Sequence, residues 1–436
     1  MQFLEKQGVR PAGESGGWFQ SFNGSGRNVL AWKEGSDPAL KNEIILIGAH
    51  YDHVGYGNSQ NSYGPFGRVH NGADDNASGV AGLMEIIDAV QRLPEAPKRS
   101  LLFAFWDSEE RGLDGSKAWV QRPTLSGKRV RLAINLDMIG RLRKQYVEVY
   151  GTRTAAGLRE LVSRGNRDDL DLDFLWTMQE DSDHYTFYKA GIPSLMLHTG
   201  LHENYHRPSD DVQTLNIDGM RQMTRCVLAL ALNAAQAPQL PEFRQASQGE
   251  AASKESSPPP LARSQPRLGV VWSPVEFEGE PRLQAARILS GLPAEQAGLR
   301  VGDRLLEIDG KPVHDDKHAR LAIMSAEKIV TMRVVRPGLD EAISIEATLL
   351  GQPVRVGVNW REDAAEPGVV VLTGVIAGSP AANAGLAPRD RILEVNGERF
   401  SGPTELVTLL NRSPSPLRLT LERRGRIYST ELELAP

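Results

Sequence analysis

Six ionisable side chains stand where apolar runs of strand length end, or in the loops beside those ends. They are His50 after EIILIGA, Asp75 in HNGADDNASG, Glu109 and Glu110 just beyond LLFAFW, Asp137 after VRLAINL, and His206 in HENYHRPSDD. Two neighbouring carboxylates at the end of a buried strand are costly to desolvate, and a bound cation is the obvious compensation. Taken singly, each of these residues reads as structural, and a lone Glu-Glu reads as a solvated acidic loop. Together they put imidazole and carboxylate at five points of one sheet edge, with no cysteine among them. That hard nitrogen and oxygen set suits two Zn²⁺ ions. A bridging carboxylate would hold such a pair ~3.5–4 Å apart, the spacing of two-metal hydrolysis.

The elements that must carry these groups follow from the hydrophobic pattern. Residues 43–49, 101–106, 130–136 and 193–197 are apolar runs, as expected of strands buried on both faces of a sheet. The spacing predicts helices over 80–93, closed by Pro94, and over 158–164, 182–190 and 218–235. Gly-rich, partly aromatic segments between 17 and 37 read as short edge strands. Strands alternating with helices predict an α/β domain with a mostly parallel mixed sheet sandwiched by helices. In such sheets ligands bind beyond the carboxyl ends of the strands, which is where the six side chains fall.

A chain of 436 residues exceeds one ordinary core, so further domains are expected. A net charge of -5 without a Lys/Arg run argues against nucleic acid as a partner. No stretch approaches the ~20 apolar residues of a transmembrane span. Cys226 is the only cysteine, which excludes an intrachain disulfide and a thiolate cluster; flanked by Met223, Val227, Leu228 and Leu230, it reads as a core residue. The segment 238–265, rich in Pro, Ser, Gln and Glu, reads as a flexible linker. Beyond it GLPAEQAGLRVGDRLLEIDGKPV from Gly291 is repeated as GSPAANAGLAPRDRILEVNGERF from Gly378, about 87 residues on. The chain opens on MQFLEKQGVRPAGE, which reads as the end of a helix and not as a charged-then-apolar leader.

The motifs GAHYDHVG, GADDNASG, WDSEERGLDGS, INLDMIG, SDHYTFYKAGIP and YHRPSDD occur in this order through the N-terminal half. In them the chain resembles the co-catalytic zinc aminopeptidases, whose fold is shared with glutamate carboxypeptidase, transferrin receptor and glutaminyl cyclase. The resemblance implies that Asp75 bridges two Zn²⁺ ions, that His50 and Asp137 complete one site, and that Glu110 and His206 complete the other. It implies Glu109 as general base, Asp52 as the carboxylate behind the first histidine, a cis Asp75-Asn76 bond, and Tyr205 as an oxyanion donor. The expected reaction is removal of N-terminal residues from peptide or protein substrates. Carboxypeptidase or glutaminyl-cyclase chemistry on the same scaffold, or a catalytically inactive peptide-binding scaffold, are the alternatives. His53, His70, His198, His202, His184 and Arg207 lie beside the motifs without an assigned task, as does Asp107; Asp183 is placed near the substrate or behind the metals. The resemblance also implies export and a missing upstream segment, although no signal peptide is visible.

The repeats resemble bacterial-type PDZ domains in their Gly-Ser-Pro-Ala to Asn-Gly stretch. Leu268-Gly269-Val270 and Val356-Gly357-Val358 match the loop that takes a peptide's C-terminal carboxylate as the peptide adds a strand. The copies differ where Gly302 becomes Arg389 and Leu292 becomes Ser379. The expected organisation is a catalytic domain over 1–237, the linker over 238–265, and small β-rich PDZ-like domains over 266–350 and 351–436.

Overall fold

All four apolar runs become neighbouring strands at the centre of one sheet in the computed structural model, which describes residues 1–250 and 266–434. The described chain divides into two units. The first holds everything to residue 250 together with Ala364–Pro367 and Glu422–Ile427, and the second holds the remainder from 266.

The strands of the first unit are β1 (Arg10–Pro11), β2 (Phe19–Phe22), β3 (Gly26–Lys33), β4 (Glu43–His50), β5 (Ser100–Trp106), β6 (Arg129–Leu136), β7 (Tyr146–Tyr150), β8 (Asp171–Phe174) and β9 (Ser194–His198). Its helices are α1 (Gln2–Gln7), α2 (Gly79–Gln91), α3 (Asp114–Gln121), α4 (Leu158–Gly165), α5 (His184–Lys189) and α6 (Ile217–Gln236). The sheet order is β1-β3-β5-β4-β6-β9-β7-β8, with β2 added to β3. Strands β5, β4, β6 and β9 run parallel, whereas β3 and β7 are antiparallel to their neighbours β5 and β9.

Alternation along the strands feeds two cores. Ile45, Ile47, Leu101, Phe103, Leu132 and Ile134 face α2, α4 and α6 through Leu83, Ile87, Val162 and Cys226. Ile44, Leu46, Leu102, Trp106 and Ala133 face the other way, onto Trp119 of α3 and Phe187 of α5. Both faces are therefore covered, which is why these strands carry no polar alternation. Each fully buried Leu, Ile or Phe adds roughly 1.5–3 kcal/mol over an exposed one. His50 and Trp106 are register partners, so β4 and β5 end level. Gly48 permits this packing, because a Cβ there would lie 2.5 Å from Trp106 Nε1.

Two expectations need correcting. The stretch expected as edge strands contains β3, which lies inside the sheet with Leu30 and Ala31 fully buried; its polar ends mask a buried middle. The expected flexible linker begins too early. Arg131 Nη2 donates to Leu240 O at 2.6 Å, Phe243 bridges to Ala155 and packs on Tyr188, and Glu250 pairs with Arg153 and Arg244. Burial alone would raise the Glu250 carboxyl, but the hydrogen bonds from Arg153 and Arg244 outweigh it and bring it down to about 2. Residues 238–250 thus belong to the first unit, and the rest of the expected linker, 251–265, lies outside the described residues.

Residues 266–434 form two small antiparallel sheets, each with its own apolar cluster. The first has β10 (Val270–Phe277), β11 (Glu280–Ile288), β12 (Arg304–Ile308), β13 (Lys311–Pro312), β14 (Ile329–Val335) and β15 (Ile343–Thr348), with α7 (Pro293–Gln296) and α8 (Asp316–Ser325). The second has β16 (Val358–Glu362), β17 (Val370–Val375), β18 (Arg391–Val395), β19 (Leu417–Arg423) and β20 (Arg426–Leu432), with α9 (Pro380–Asn383) and α10 (Pro403–Arg412). Strands β10 and β16 each form a sheet edge.

Candidate metal centre

The carboxyl ends of β4, β5 and β6 deliver His50, the Glu109 and Glu110 turn, and Asp137 to one place. The segments carrying Asp75 and His206 close over it. Asp75 is central. Its Oδ1 lies 3.3 Å from His50 Nε2, which is in turn 3.5 Å from Asp137 Oδ1. Its Oδ2 lies 3.1 Å from His206 Nε2, which is 3.2 Å from Glu110 Oε2. One carboxylate thus turns its two oxygens to two separate donor sets. Ligands ~2.0–2.1 Å from a tetrahedral zinc stand about 3.3–3.4 Å apart, so these spacings fit a divalent ion in each set. His53 joins the second group, with Nδ1 2.9 Å from Glu110 Oε1 and 3.7 Å from Asp75 Oδ2.

The surrounding hydrogen bonds fix the donors. His50 Nδ1 lies 3.1 Å from the main-chain oxygen of Asp52, so Nδ1 donates there and Nε2 is the nitrogen turned to Asp75 and Asp137. The Asp52 carboxylate, expected behind this imidazole, has Oδ1 3.7 Å from His50 Nδ1, and it also accepts from the backbone N–H of Glu109 at 3.0 Å and of Glu110 at 3.3 Å. Ser182 donates to Asp137 Oδ2 at 2.5 Å, and Asp210 accepts from the backbone N–H groups of Asp74 and Asp75. The Asp75-Asn76 bond is cis.

Residues left open by sequence now have places. His202 Nε2 meets Asp74 Oδ2 at 3.1 Å with both side chains fully buried, which pins the His206 loop to the Asp75 segment. His70 engages Ser62 Oγ, Ser62 and Tyr63 hold the His206 carbonyl, and Arg207 donates to Tyr63 O. His198 lies against Met138 and Glu148. Asp107 Oδ2 accepts from Arg27 N, a structural task. Sequence reasoning missed Ser182, Asp74 and Asp210, although all three lie inside or next to the quoted motifs.

Glu109 differs from Glu110 in its surroundings. Its carboxylate accepts no hydrogen bond among the described residues and belongs to neither donor set. Burial pushes it well above the usual carboxylate range; His50 opposes this, while Asp137, Asp183 and Glu110 add to it. Asp183 is buried with neither oxygen hydrogen-bonded, and its carboxyl is pushed up to about 7, chiefly by burial. The neighbouring His184 is likewise buried without a hydrogen-bond partner, its Nε2 lying 3.8 Å from Asp181 Oδ1, and burial lowers it to about 3. Tyr205 stacks on His206 with ring centres 3.9 Å apart, and burial with the nearby carboxylates Asp75 and Glu110 keeps its hydroxyl protonated.

In the second unit, Leu268-Gly269-Val270 and Val356-Gly357-Val358 lead into the edge strands β10 and β16. Gly269 and Gly357 adopt φ of 84° and 87°, and a Cβ at Gly357 would come within 2.1 Å of Ser379 Cβ. The preceding Arg267 donates to Ile323 O and Met324 O, near the end of α8. Arg355 does the same at the end of α10, to Leu410 O and Ser413 O. One arginine thus ties each loop to its helix.

Comparison with known proteins agrees with this division. The model of peptidase family M28 matches residues 28–231, and the PDZ domain model matches 285–336 and 371–423. The uncharacterized protein YfbL of Escherichia coli (strain K12) is 30% identical over 228 residues, covering 44% of this chain and 67% of that protein. Aminopeptidase YwaD of Bacillus subtilis (strain 168) is 28% identical over 232 residues, covering 50% of this chain and 47% of that enzyme. Among solved structures, the zinc aminopeptidase BSAP of Bacillus subtilis matches with 24% identity and a TM-score of 0.40, over 48% of this chain and 50% of that one. The chain thus spans about half the length of these two aminopeptidases. The chain belongs to peptidase family M28 and carries two PDZ domains after the peptidase domain.

Proposed function

We propose that the first unit is a zinc-dependent exopeptidase, working as an aminopeptidase on peptide or protein substrates. The observation that carries the reading is Asp75, whose two oxygens serve separate donor sets, next to a Glu109 that serves neither. His50, Asp75 and Asp137 would hold one Zn²⁺ ion, and Asp75, Glu110 and His206 the other. When bound, such ions supply Lewis acidity that brings the pKa of a water towards neutrality. Glu109 takes the proton of the attacking water and returns it to the leaving amine. Asp52 steadies the Glu109 backbone, and Tyr205 donates its hydroxyl hydrogen to the oxyanion of the tetrahedral intermediate.

An unblocked aminoacyl-p-nitroanilide is expected to be hydrolysed and its N-acetylated counterpart to be spared. Chelation should abolish the activity and added zinc restore it. A zinc-loaded protein that leaves every unblocked substrate intact would sink the reading, and preference for a free carboxylate end would favour the carboxypeptidase alternative.

The PDZ domains are proposed to capture peptide C-termini at Leu268-Gly269-Val270 and Val356-Gly357-Val358. The open edges of β10 and β16 beside positive-φ glycines support this. Selection from a random peptide library on the intact protein should return ligands with a free C-terminal carboxylate, and amidation should weaken them at least about tenfold, since charge-assisted hydrogen bonds to the carboxylate would be lost. Equal binding of the amidated forms would refute C-terminal capture.

A further inference from the structure

His53 lies three residues beyond His50 and has two chemically distinct possibilities, metal donor or hydrogen-bond donor. The ring is held firmly. It fits beneath Gly72, where a Cβ would approach its Cγ and Cδ2 to 2.7 Å, and it lies edge-on to His206 with ring centres 5.7 Å apart. Its Nδ1 is 2.9 Å from Glu110 Oε1, while Nε2 is buried with no partner.

That asymmetry decides the tautomer. A metal-binding imidazole gives its other N–H to an acceptor, as His50 gives Nδ1–H to Asp52 O. On His53 the other nitrogen is Nε2, and metal at Nδ1 would leave its N–H buried without an acceptor, which is costly. With the proton on Nδ1 instead, Glu110 Oε1 gains a donor, and Nε2 keeps only an unshared lone pair. Glu110 is then held at Oε1 by His53, which leaves Oε2 as the oxygen that faces His206 Nε2.

We infer that His53 is a positioning residue for Glu110, acting on one metal position and not as a ligand. The inference rests on the dizinc reading proposed above. It follows that His53→Ala weakens one of two metal equivalents about 10- to 100-fold, the range for residues that orient a ligand, and leaves the other unchanged. His53→Asn, whose amide N–H falls where Nδ1–H stood, should recover part of the loss.

The test is Zn²⁺ titration of the intact protein and both variants against a competing chelator, with circular dichroism to verify the fold. X-ray absorption at saturating zinc would count imidazoles per metal. Selective weakening of one equivalent, with the wild-type imidazole count retained, is the expected result. Two equivalents bound by His53→Ala as tightly as by wild type overturn the inference alone, as does a lost imidazole, which would make His53 a ligand. Wild-type protein that takes up no zinc overturns the metal-centre reading and this inference together.

Discussion

Glu109→Gln is expected to lower turnover of an unblocked aminoacyl substrate by about 100- to 10,000-fold, the usual worth of a general base, while the protein still takes up its metal. The adjacent glutamates are separated by their neighbours and not by their position. Glu110 offers each oxygen to an imidazole, at 2.9 and 3.2 Å, whereas the Glu109 side chain has no such partner among the described residues. Glutamine keeps the shape of glutamate but cannot accept the proton, so the loss should fall on kcat with little change in metal content. Because burial raises the Glu109 proton affinity, the base is idle at low pH and becomes active as pH rises through its pKa. Metal content and kcat measured on the same preparation check the assignment, with Glu110→Gln as the contrasting variant that should lose metal. Substantial turnover by Glu109→Gln, or loss of metal from it, would remove Glu109 from this role.

Asp75→Asn should cost both metal equivalents at once. The substitution removes a charge and turns one of two oxygens into an amide nitrogen with no free lone pair, so each donor set loses part of its shared member. Weakening beyond about 100-fold is expected, more than removal of a merely supporting residue produces, whereas His50→Ala should weaken one equivalent far more than the other. The metal-free site adds a pH signature. Burial lowers the His206 pKa, but hydrogen bonds to Asp75 and Glu110 overcome this and push it to about 9. Metal must displace that proton, so wild-type affinity should climb as pH rises towards 9. Without the Asp75 charge the His206 pKa falls and the climb flattens. Zinc titration of wild type and variant across pH 6 to about 9 measures both effects; tight binding of one equivalent by Asp75→Asn would show that the carboxylate is not shared.

The convergence of the candidate metal donors was legible in outline because parallel strands buried on both faces must be apolar along their length. Each run therefore marked its own carboxyl end, and His50, Glu109, Glu110 and Asp137 stood at those ends. Strands β7 and β8 were missed for the converse reason: they are short, lie towards one edge of the sheet, and alternate polar with apolar residues, as in Tyr146–Tyr150 and Asp171–Phe174. The stretch 238–250 misled because Pro and Gln content speaks of a loop, while a few anchors, Leu240, Phe243 and Glu250, decide where that loop lies.

By itself, then, the amino-acid sequence determined the fold class, the repeat, and the residue types gathered at one sheet edge. These depend on local periodicity and on residues near each other in the chain. Tertiary structure alone decided which oxygen of Asp75 faces which histidine, that the Asp52 carboxylate also holds the Glu109 and Glu110 backbone, and that His53 meets Glu110. Those relations join residues up to 131 positions apart, from Asp75 to His206. They turn on ångström distances and on which nitrogen carries a proton, and neither is encoded in spacing along a strand. The pair of carboxylates that looked equivalent in sequence thus divides into one that shares each oxygen with an imidazole and one whose side chain belongs to neither donor set.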